Sequence, residues 1–315
     1  MITVLWHKGD FWRLNKTDII IKNAYKSNLI FIFMKKYALV LVLLLLSINF
    51  VSAEKTILID KYHDTDNWWG DPEGTGKILS QELSSLGFNN KVGTEPFSDE
   101  VLKEVDIVFL WNPNNPLEES EITALTKFVE NGGSLLVLAS HEYDMIEPTR
   151  ESINSLLEPF GIRVMKNGTD DPSNRQGCSC TPIIHNLAKH PINEGITSIV
   201  LYKPASLELK GNAIAIARGD NDTFAIGKEP LGGENVIVAA VSEKGNGKVA
   251  VVGSSFIFDN GKIGDLNNKQ FAKNLFTWLG GTSKQSIPSW SLYLSLVLAI
   301  FLLYTLYLKK RNIKK

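Results

Sequence analysis

Between residues 54 and 281, short apolar runs alternate with stretches of helical period. Thr56-Ile-Leu-Ile-Asp60 reads as a buried strand. From Gly76 to Leu86, Ile78, Leu79, Leu83 and Leu86 recur at helical spacing, and Gly87 stops the helix. Asp106 to Trp111 is the next strand. Leu117 to Val129 is a helix with Ile122, Leu125, Phe128 and Val129 on one face, ended by Gly132-Gly133. Ser134 to Ala139 is a strand, Ser152 to Phe160 a helix stopped by Gly161, and Ile162-Arg-Val164 a strand. Strand-helix alternation predicts a parallel sheet covered on both faces. After residue 200 strands dominate: Ala213 to Ala217, Val236 to Val241 and Lys248 to Val252. The last two flank a hairpin loop, Ser242 to Gly247. Phe271, Leu275, Phe276 and Leu279 mark a final amphipathic helix from about Asn268 to Leu279.

Two longer apolar runs flank this domain. Met34-Lys-Lys, the run Tyr37 to Phe50 and Val51-Ser-Ala53 form a basic start, an apolar stretch and a small-residue cleavage site. That is the pattern of a secretory signal peptide over residues 34–53, which makes Met34 the expected start and residues 1–33 an over-long gene start. The second run, Trp290 to Leu308, carries no charge and is followed by Lys309-Lys-Arg311 and Lys314-Lys315. Its length suits one membrane-spanning helix, and the basic tail 309–315 is expected to stay inside. The reading is a single-pass type I protein in the cell membrane. Residues 54–281 would lie outside as one domain, on a short stalk, 282–289.

Charge sharpens that division. The formal total is −1, but residues 1–36 hold seven Lys/Arg and two Asp/Glu, and residues 284–315 hold six Lys/Arg and no acid. Residues 37–283 therefore carry 20 basic and 32 acidic side chains. An acidic outer domain argues against nucleic acid as a partner. Two cysteines are too few for a disulfide framework. Asn167-Gly-Thr169 and Asn221-Asp-Thr223 are sequons consistent with export.

Several of these stretches carry a family resemblance. Asp106-Ile-Val-Phe-Leu110, Phe128-Val-Glu-Asn-Gly-Gly133, Ser134-Leu-Leu-Val-Leu138 and Asn154-Ser-Leu-Leu-Glu-Pro-Phe-Gly-Ile162 follow in order. His190-Pro-Ile-Asn-Glu-Gly195, Gly247 to Gly253 and Asn274-Leu-Phe-Thr-Trp-Leu279 come after them. Together they resemble the non-catalytic branch of the class I glutamine amidotransferase-like fold, the group with gliding-motility and intraflagellar-transport proteins. The resemblance implies an α/β, flavodoxin-like three-layer sandwich with a mainly parallel sheet, and a binding or scaffolding role. In catalytic relatives small residues flank a nucleophile in a strained turn between strand and helix. The matching stretch here, Leu138-Ala-Ser140-His-Glu142, has neither flanking Gly nor Cys.

In open α/β sheets ligands bind beyond the carboxyl ends of the strands. Three polar clusters are expected there: His63, Asp64, Asp66, Trp68 and Trp69 after the first strand; Trp111 and Asn112; and Ser140, His141 and Glu142. The His and carboxylate groups could hold a divalent metal, and the Trp side chains could make an apolar platform. Cys178, Cys180, His185 and His190 form a second metal candidate, with zinc-type donors in an unusual Cys-x-Cys spacing. A Cys178–Cys180 bond would close a small, strained ring, so free thiols and a bond to another chain stay open as well, and a turn-capping role for His190 is the competing reading. The function expected is a membrane-anchored binding or scaffold domain of unknown ligand with no cofactor, an accessory to a membrane complex or transporter that engages protein partners. The alternative is a surface hydrolase, metal-dependent, acting on envelope glycans or peptides through His63, Asp64, Asp66, His141 and Glu142.

Overall fold

Strand β1 (Lys55–Asp60) buries every side chain after its first, and β3 (Ile107–Trp111) and β4 (Ser134–Leu138) bury all of theirs. Strands covered on both faces belong inside an α/β sheet. In the computed structural model, which describes residues 54–63, 75–141, 143–228 and 230–281, that sheet has ten strands. The runs read as signal peptide and membrane helix lie outside the described residues. Among the described residues no helix is long and apolar enough to cross a membrane.

The remaining elements follow in chain order. Helix α1 (Lys77–Ser85) leads to β2 (Phe88–Gly93), and α2 (Glu119–Glu130) joins β3 to β4. Helix α3 (Thr149–Leu157) precedes β5 (Ile162–Val164) and β6 (Asn167–Asp170). Short strands follow: β7 (Ile183–Ile184), β8 (Asn186–Leu187), β9 (Ile199–Val200), β10 (Leu207–Leu209), β11 (Ile214–Arg218), β12 (Phe224–Gly227) and β13 (Leu231–Gly232). The chain closes with β14 (Ile237–Lys244), β15 (Gly247–Val252) and α4 (Asn268–Gly280).

The main path of the sheet runs β2-β1-β3-β4-β15-β14-β10-β5, with β11 on β14 and β8 on β11. It is parallel from β2 to β15 and antiparallel beyond. The parallel half is the part built by strand-helix alternation. After residue 200 no α-helix stands between consecutive strands among the described residues; β10, β14 and β15 pair antiparallel, and β15 joins β4 in parallel.

Side-chain alternation sorts the core into two layers. Ile57 and Ile59 of β1, Ile107 and Phe109 of β3, and Leu136 and Leu138 of β4 pack with Leu79 and Leu83 of α1 and with Phe271, Leu275 and Phe276 of α4. The intervening Leu58, Val108, Leu110, Leu135 and Val137 pack with Leu125 and Val129 of α2 and with Ile153, Leu156 and Leu157 of α3. A pleated strand points successive side chains to opposite faces, so one strand feeds both layers. Truncating any such Leu to Ala should cost about 2–5 kcal/mol.

Several strands were not expected from the sequence, β2, β6 to β10, β12 and β13 among them, and one expected loop is largely strand. Strand β2 was not expected, because Phe88-Asn-Asn-Lys-Val-Gly93 has no apolar alternation and buries only its ends. It is the outer strand beside β1, and an edge needs to cover only one side. The loop expected at Ser242–Gly247 is mostly strand. Ser242, Glu243 and Lys244 pair with Val249, Lys248 and Gly247, leaving the two-residue turn Gly245-Asn246. Gly245 takes a φ of 63°, which glycine adopts without steric cost.

Gly253 marks where β15 leaves the sheet. Its N–H donates to the Val238 carbonyl and its own carbonyl accepts from Ala205 N–H, both at 2.8 Å. A Cβ there would lie 2.0 Å from the Ala205 oxygen. Gly253→Ala should therefore cost about 2–3 kcal/mol, near the upper end of overpacking penalties. Gly195 has a φ of 72° and open space around a Cβ. Gly195→Ala should cost about 1 kcal/mol from backbone strain alone. Equilibrium urea unfolding of both variants checks this, and equal losses would mean that the Ala205 segment yields freely.

Candidate functional site

The parallel half places the carboxyl ends of β1, β3 and β4 along one sheet edge, and the order β2-β1-β3 makes the gap between β1 and β3 a topological switch point. The loops there are tied to one another. The His63 carbonyl accepts from the N–H groups of Asn114 and Asn115 at 2.9 and 3.0 Å. Asn112 N–H donates to the Leu138 carbonyl at 2.8 Å, with Asn112 itself at a φ of 45°. The Thr149 hydroxyl donates to the Asn114 carbonyl at 3.0 Å.

Beneath these loops His63 is 1% exposed. Its Nδ1 lies 3.0 Å from Asp60 Oδ2, and its Nε2 lies 3.1 Å from Glu121 Oε2. Asp60 also accepts the N–H groups of Tyr62 and His63. Glu121 accepts Phe97 N–H at 2.8 Å on Oε1 and Glu118 N–H at 2.9 Å on Oε2. The imidazole stacks on the Phe97 ring, with centroids 5.5 Å apart. Burial alone disfavours the charged ring, but Asp60 and then Glu121 outweigh it, and the pKa of His63 rises above its ordinary value. The result is an Asp60–His63–Glu121 triad sealed in the fold, in which the two acids favour the protonated ring. Asp60 ends β1, and Glu121 sits in the first turn of α2, where a carboxylate also suits the helix dipole.

The cluster after β4 is also engaged internally. Ser140 is 0% exposed, and its hydroxyl donates to Asp144 Oδ2 at 3.1 Å. His141 Nε2 lies 3.0 Å from the same oxygen, and His141 Nδ1 accepts Tyr143 N–H at 3.1 Å. Buried Arg150 reaches under the loop and donates to the carbonyls of Ser140, Met145 and Met165. Ser140 therefore closes a loop rather than presenting a nucleophile.

Trp111 packs in the core, stacked on Phe109 at 5.4 Å, and offers no exposed platform. Asp64, Asp66, Trp68, Trp69 and Glu142 lie outside the described residues. The edge instead exposes Tyr62 after β1 and, after β4, Ile146 and Tyr143, the last 80% exposed. Glu121 was missed because 58 residues separate it from His63. A signal existed: it shares the apolar helix face with Ala124 and Leu125, where a carboxylate needs a buried partner.

The second candidate cluster does not assemble. Cys178 and Cys180 form a disulfide, so neither offers a thiolate to zinc. His185 is exposed between β7 and β8. His190 caps the turn Pro191–Asn193, its Nδ1 accepting Ile192 N–H, and packs edge-on against Trp278. Burial lowers the pKa of His190. Among the described residues, the ligand-type side chains whose donor atoms come together are Asp171, Asp220 and Asp222, within 4.8 Å of one another. Asp171 Oδ2 accepts the Thr223 hydroxyl, and Asp220 Oδ2 accepts the Asn174 amide. Burial opposes the Asp220 charge, but hydrogen bonds, the Asn174 amide foremost, hold its carboxyl below the usual range. Of the two sequons, Asn167 is buried with its amide on Ser206, whereas Asn221 is exposed.

The triad should control stability. His63→Leu leaves two buried carboxylates facing each other and should cost about 3–5 kcal/mol. Because the folded pKa of His63 is raised, its contribution is complete below the unfolded value of about 6.5 and falls as pH climbs through the folded value. The unfolding free-energy difference between wild type and His63→Gln should thus be largest near pH 6 and shrink toward pH 9. Urea titrations across that range test the sign; a difference that grows with pH would refute a charged His63.

Comparison with known proteins fits the architecture. A family model described as "Domain of unknown function (DUF4350)" matches residues 71–276. An uncharacterized protein of Aquifex aeolicus (strain VF5) is 26% identical over 206 residues, covering 63% of this chain and 84% of that protein. Among solved structures, the mmIFT52 N-terminal domain superimposes with a TM-score of 0.60 at 21% identity, over 72% of this chain and 98% of that one. A ThuA-like protein from Bacteroides uniformis gives a TM-score of 0.45 at 13% identity, over 73% and 93%. The IFT52 likeness supports the amidotransferase-like fold expected from the sequence and carries no function with it. The family match spans well over half the chain, and the protein belongs to the DUF4350 family.

Proposed function

We propose that this protein is a membrane-anchored, extracytoplasmic binding domain that docks a protein partner in a membrane complex through the carboxyl edge of its parallel strands. One observation carries the reading: among the described residues there, the buried polar groups are paired with one another, and three large side chains stand exposed beside Asn115 and Glu147. His63, Asp60, Glu121, Ser140 and Arg150 are all sealed beneath the loops. Tyr62, Tyr143 and Ile146 face solvent. Tyrosine is enriched at protein interfaces, where its ring gives contact area at low entropic cost and its hydroxyl stays hydrogen-bonded. The ends of β1 and β4 are two strand spacings apart, about 10 Å, so their loops can share one partner. Export is supported by the signal-like residues 34–53, the apolar run 290–308 and an oxidised cysteine pair, a state that persists outside the reducing cytosol.

A hydrolase acting through Ser140, His63 or His141 has less support. A nucleophile must reach the substrate and a base must be free to take its proton, and these side chains are buried in internal pairs.

A photo-reactive phenylalanine analogue in place of Tyr143, of Tyr62, or of exposed Leu86, which precedes β2 at the opposite end of the parallel strands, tests the reading in the full chain in native membranes. Adducts of one shared mass should form from the first two positions and not from Leu86. Ile146→Asp should weaken them about tenfold or more, the cost of charging an interface centre. Equal labelling from Leu86, or none from either tyrosine position, would remove the support for a docking edge.

A further inference from the structure

Cys178 and Cys180 are the chain's two cysteines, and they are bonded across a single residue with Cα atoms 5.2 Å apart. Disulfide stabilisation by loop closure grows with the length of chain enclosed, and a loop this short sits at the bottom of that scale. A domain with two apolar layers does not need such a staple. Exposure and connectivity suggest another use. Cys178 is exposed and Cys180 is half-buried, so an incoming thiolate reaches the Cys178 sulfur first.

The surrounding loop is held by hydrogen bonds that do not involve sulfur. The Cys178 carbonyl accepts Thr181 N–H at 3.1 Å and the Thr181 hydroxyl at 2.9 Å. The Cys180 carbonyl accepts Lys203 N–H at 2.8 Å, and the Ser179 carbonyl accepts Asp171 N–H at 2.8 Å. The Ser179 hydroxyl donates to Asp170. Gln176 N–H reaches the Thr181 carbonyl and Ile183 N–H the Asn174 carbonyl. This frame keeps the two cysteines adjacent when the S–S bond is open. Arg175 donates to the Gly177 carbonyl, which places a cation one residue from Cys178, and a nearby cation favours thiolate over thiol.

We propose that Cys178–Cys180 is a reversible thiol-disulfide exchange site whose substrate is the dithiol of a partner protein. A partner thiolate attacks the Cys178 sulfur, forms a mixed disulfide and expels the Cys180 thiolate, which takes up a proton. The second partner thiol, losing its proton, attacks the partner's own sulfur in the mixed disulfide and releases Cys178. The partner loses two electrons and becomes a disulfide; this protein gains them as a dithiol. In the reverse direction Cys178 is the attacking thiolate and Cys180 the resolving thiol. This site is independent of the docking edge proposed above.

Because no other cysteine exists in the chain, alkylation followed by mass measurement on the full chain reads this pair alone. In glutathione buffers the folded protein should pass reversibly between both states as the ratio of reduced to oxidised glutathione changes, and its melting temperature should move little. Cys180→Ser, which removes the resolving thiol, should accumulate a Cys178-glutathione adduct. Cys178→Ser should form its adduct about tenfold more slowly, since access limits attack. Both variants keep the backbone hydrogen bonds of the loop. A pair that stays oxidised under a roughly hundredfold excess of reduced glutathione until the chain unfolds would overturn the proposal, because exposed regulatory disulfides yield to that pool. So would unfolding on reduction, or equal adduct rates in the two variants.

Discussion

The loops after β1 and β3 depend on one buried set of bonds, His63 between Asp60 and Glu121. Three ionisable groups in an apolar interior would be costly if any were left alone, because a lone buried charge loses its hydration with nothing in return. Here each is answered. The imidazole is bonded on both nitrogens, and the carboxylates accept the backbone N–H groups of Tyr62, Phe97 and Glu118 besides. The triad thereby ties the end of β1 to the start of α2 and to the loop carrying Phe97. The same His63 uses its carbonyl to hold Asn114 and Asn115, which fixes the loop after β3. A conflict elsewhere in the edge would have to break this set of bonds first.

The same inward turn of polar groups is seen after β4. A catalytic nucleophile needs an exposed side chain on a strained turn. The turn after β4 instead draws Ser140 inward, gives its hydroxyl to Asp144 and pins its carbonyl with Arg150. Polar groups that might have faced a substrate have been spent on rigidity. Tyr143 and Ile146 stand exposed on the loop that these bonds tie down.

How much of this could be read from the chain follows from how local each feature is. The strands feeding both apolar layers were legible because full burial needs an unbroken apolar run. The helices were legible because one buried face imposes a 3.6-residue period. Strand β2 was not, since an edge strand can be polar at Asn89, Asn90 and Lys91 and still pair along its length with β1. The β14–β15 hairpin was shortened in the reading because Glu243 and Lys244 look like loop residues, although their exposed positions at the sheet end tolerate charge. Site residues fared unevenly for a similar reason. His63 stood out by type and position, but its partner Glu121 is brought to it by the β1-β3 crossover, which sequence spacing does not encode. Trp111 looked like a platform for a ligand, yet the period-2 alternation of β3 puts it on the same face as Ile107 and Phe109, inside.

The fold thus separates two kinds of surface. The sheet edge is braced from below by buried, mutually bonded polar groups, and Tyr62, Tyr143 and Ile146 stand exposed on it. The segment between β6 and β7 is stiffened by backbone hydrogen bonds across a short loop, and its disulfide adds little to that frame. Where the frame holds without the covalent bond, breaking the bond costs the fold little, and the sulfur atoms are available for chemistry. Where charges hold the frame, as at His63, the same groups cannot be spared for chemistry without loosening the structure around them.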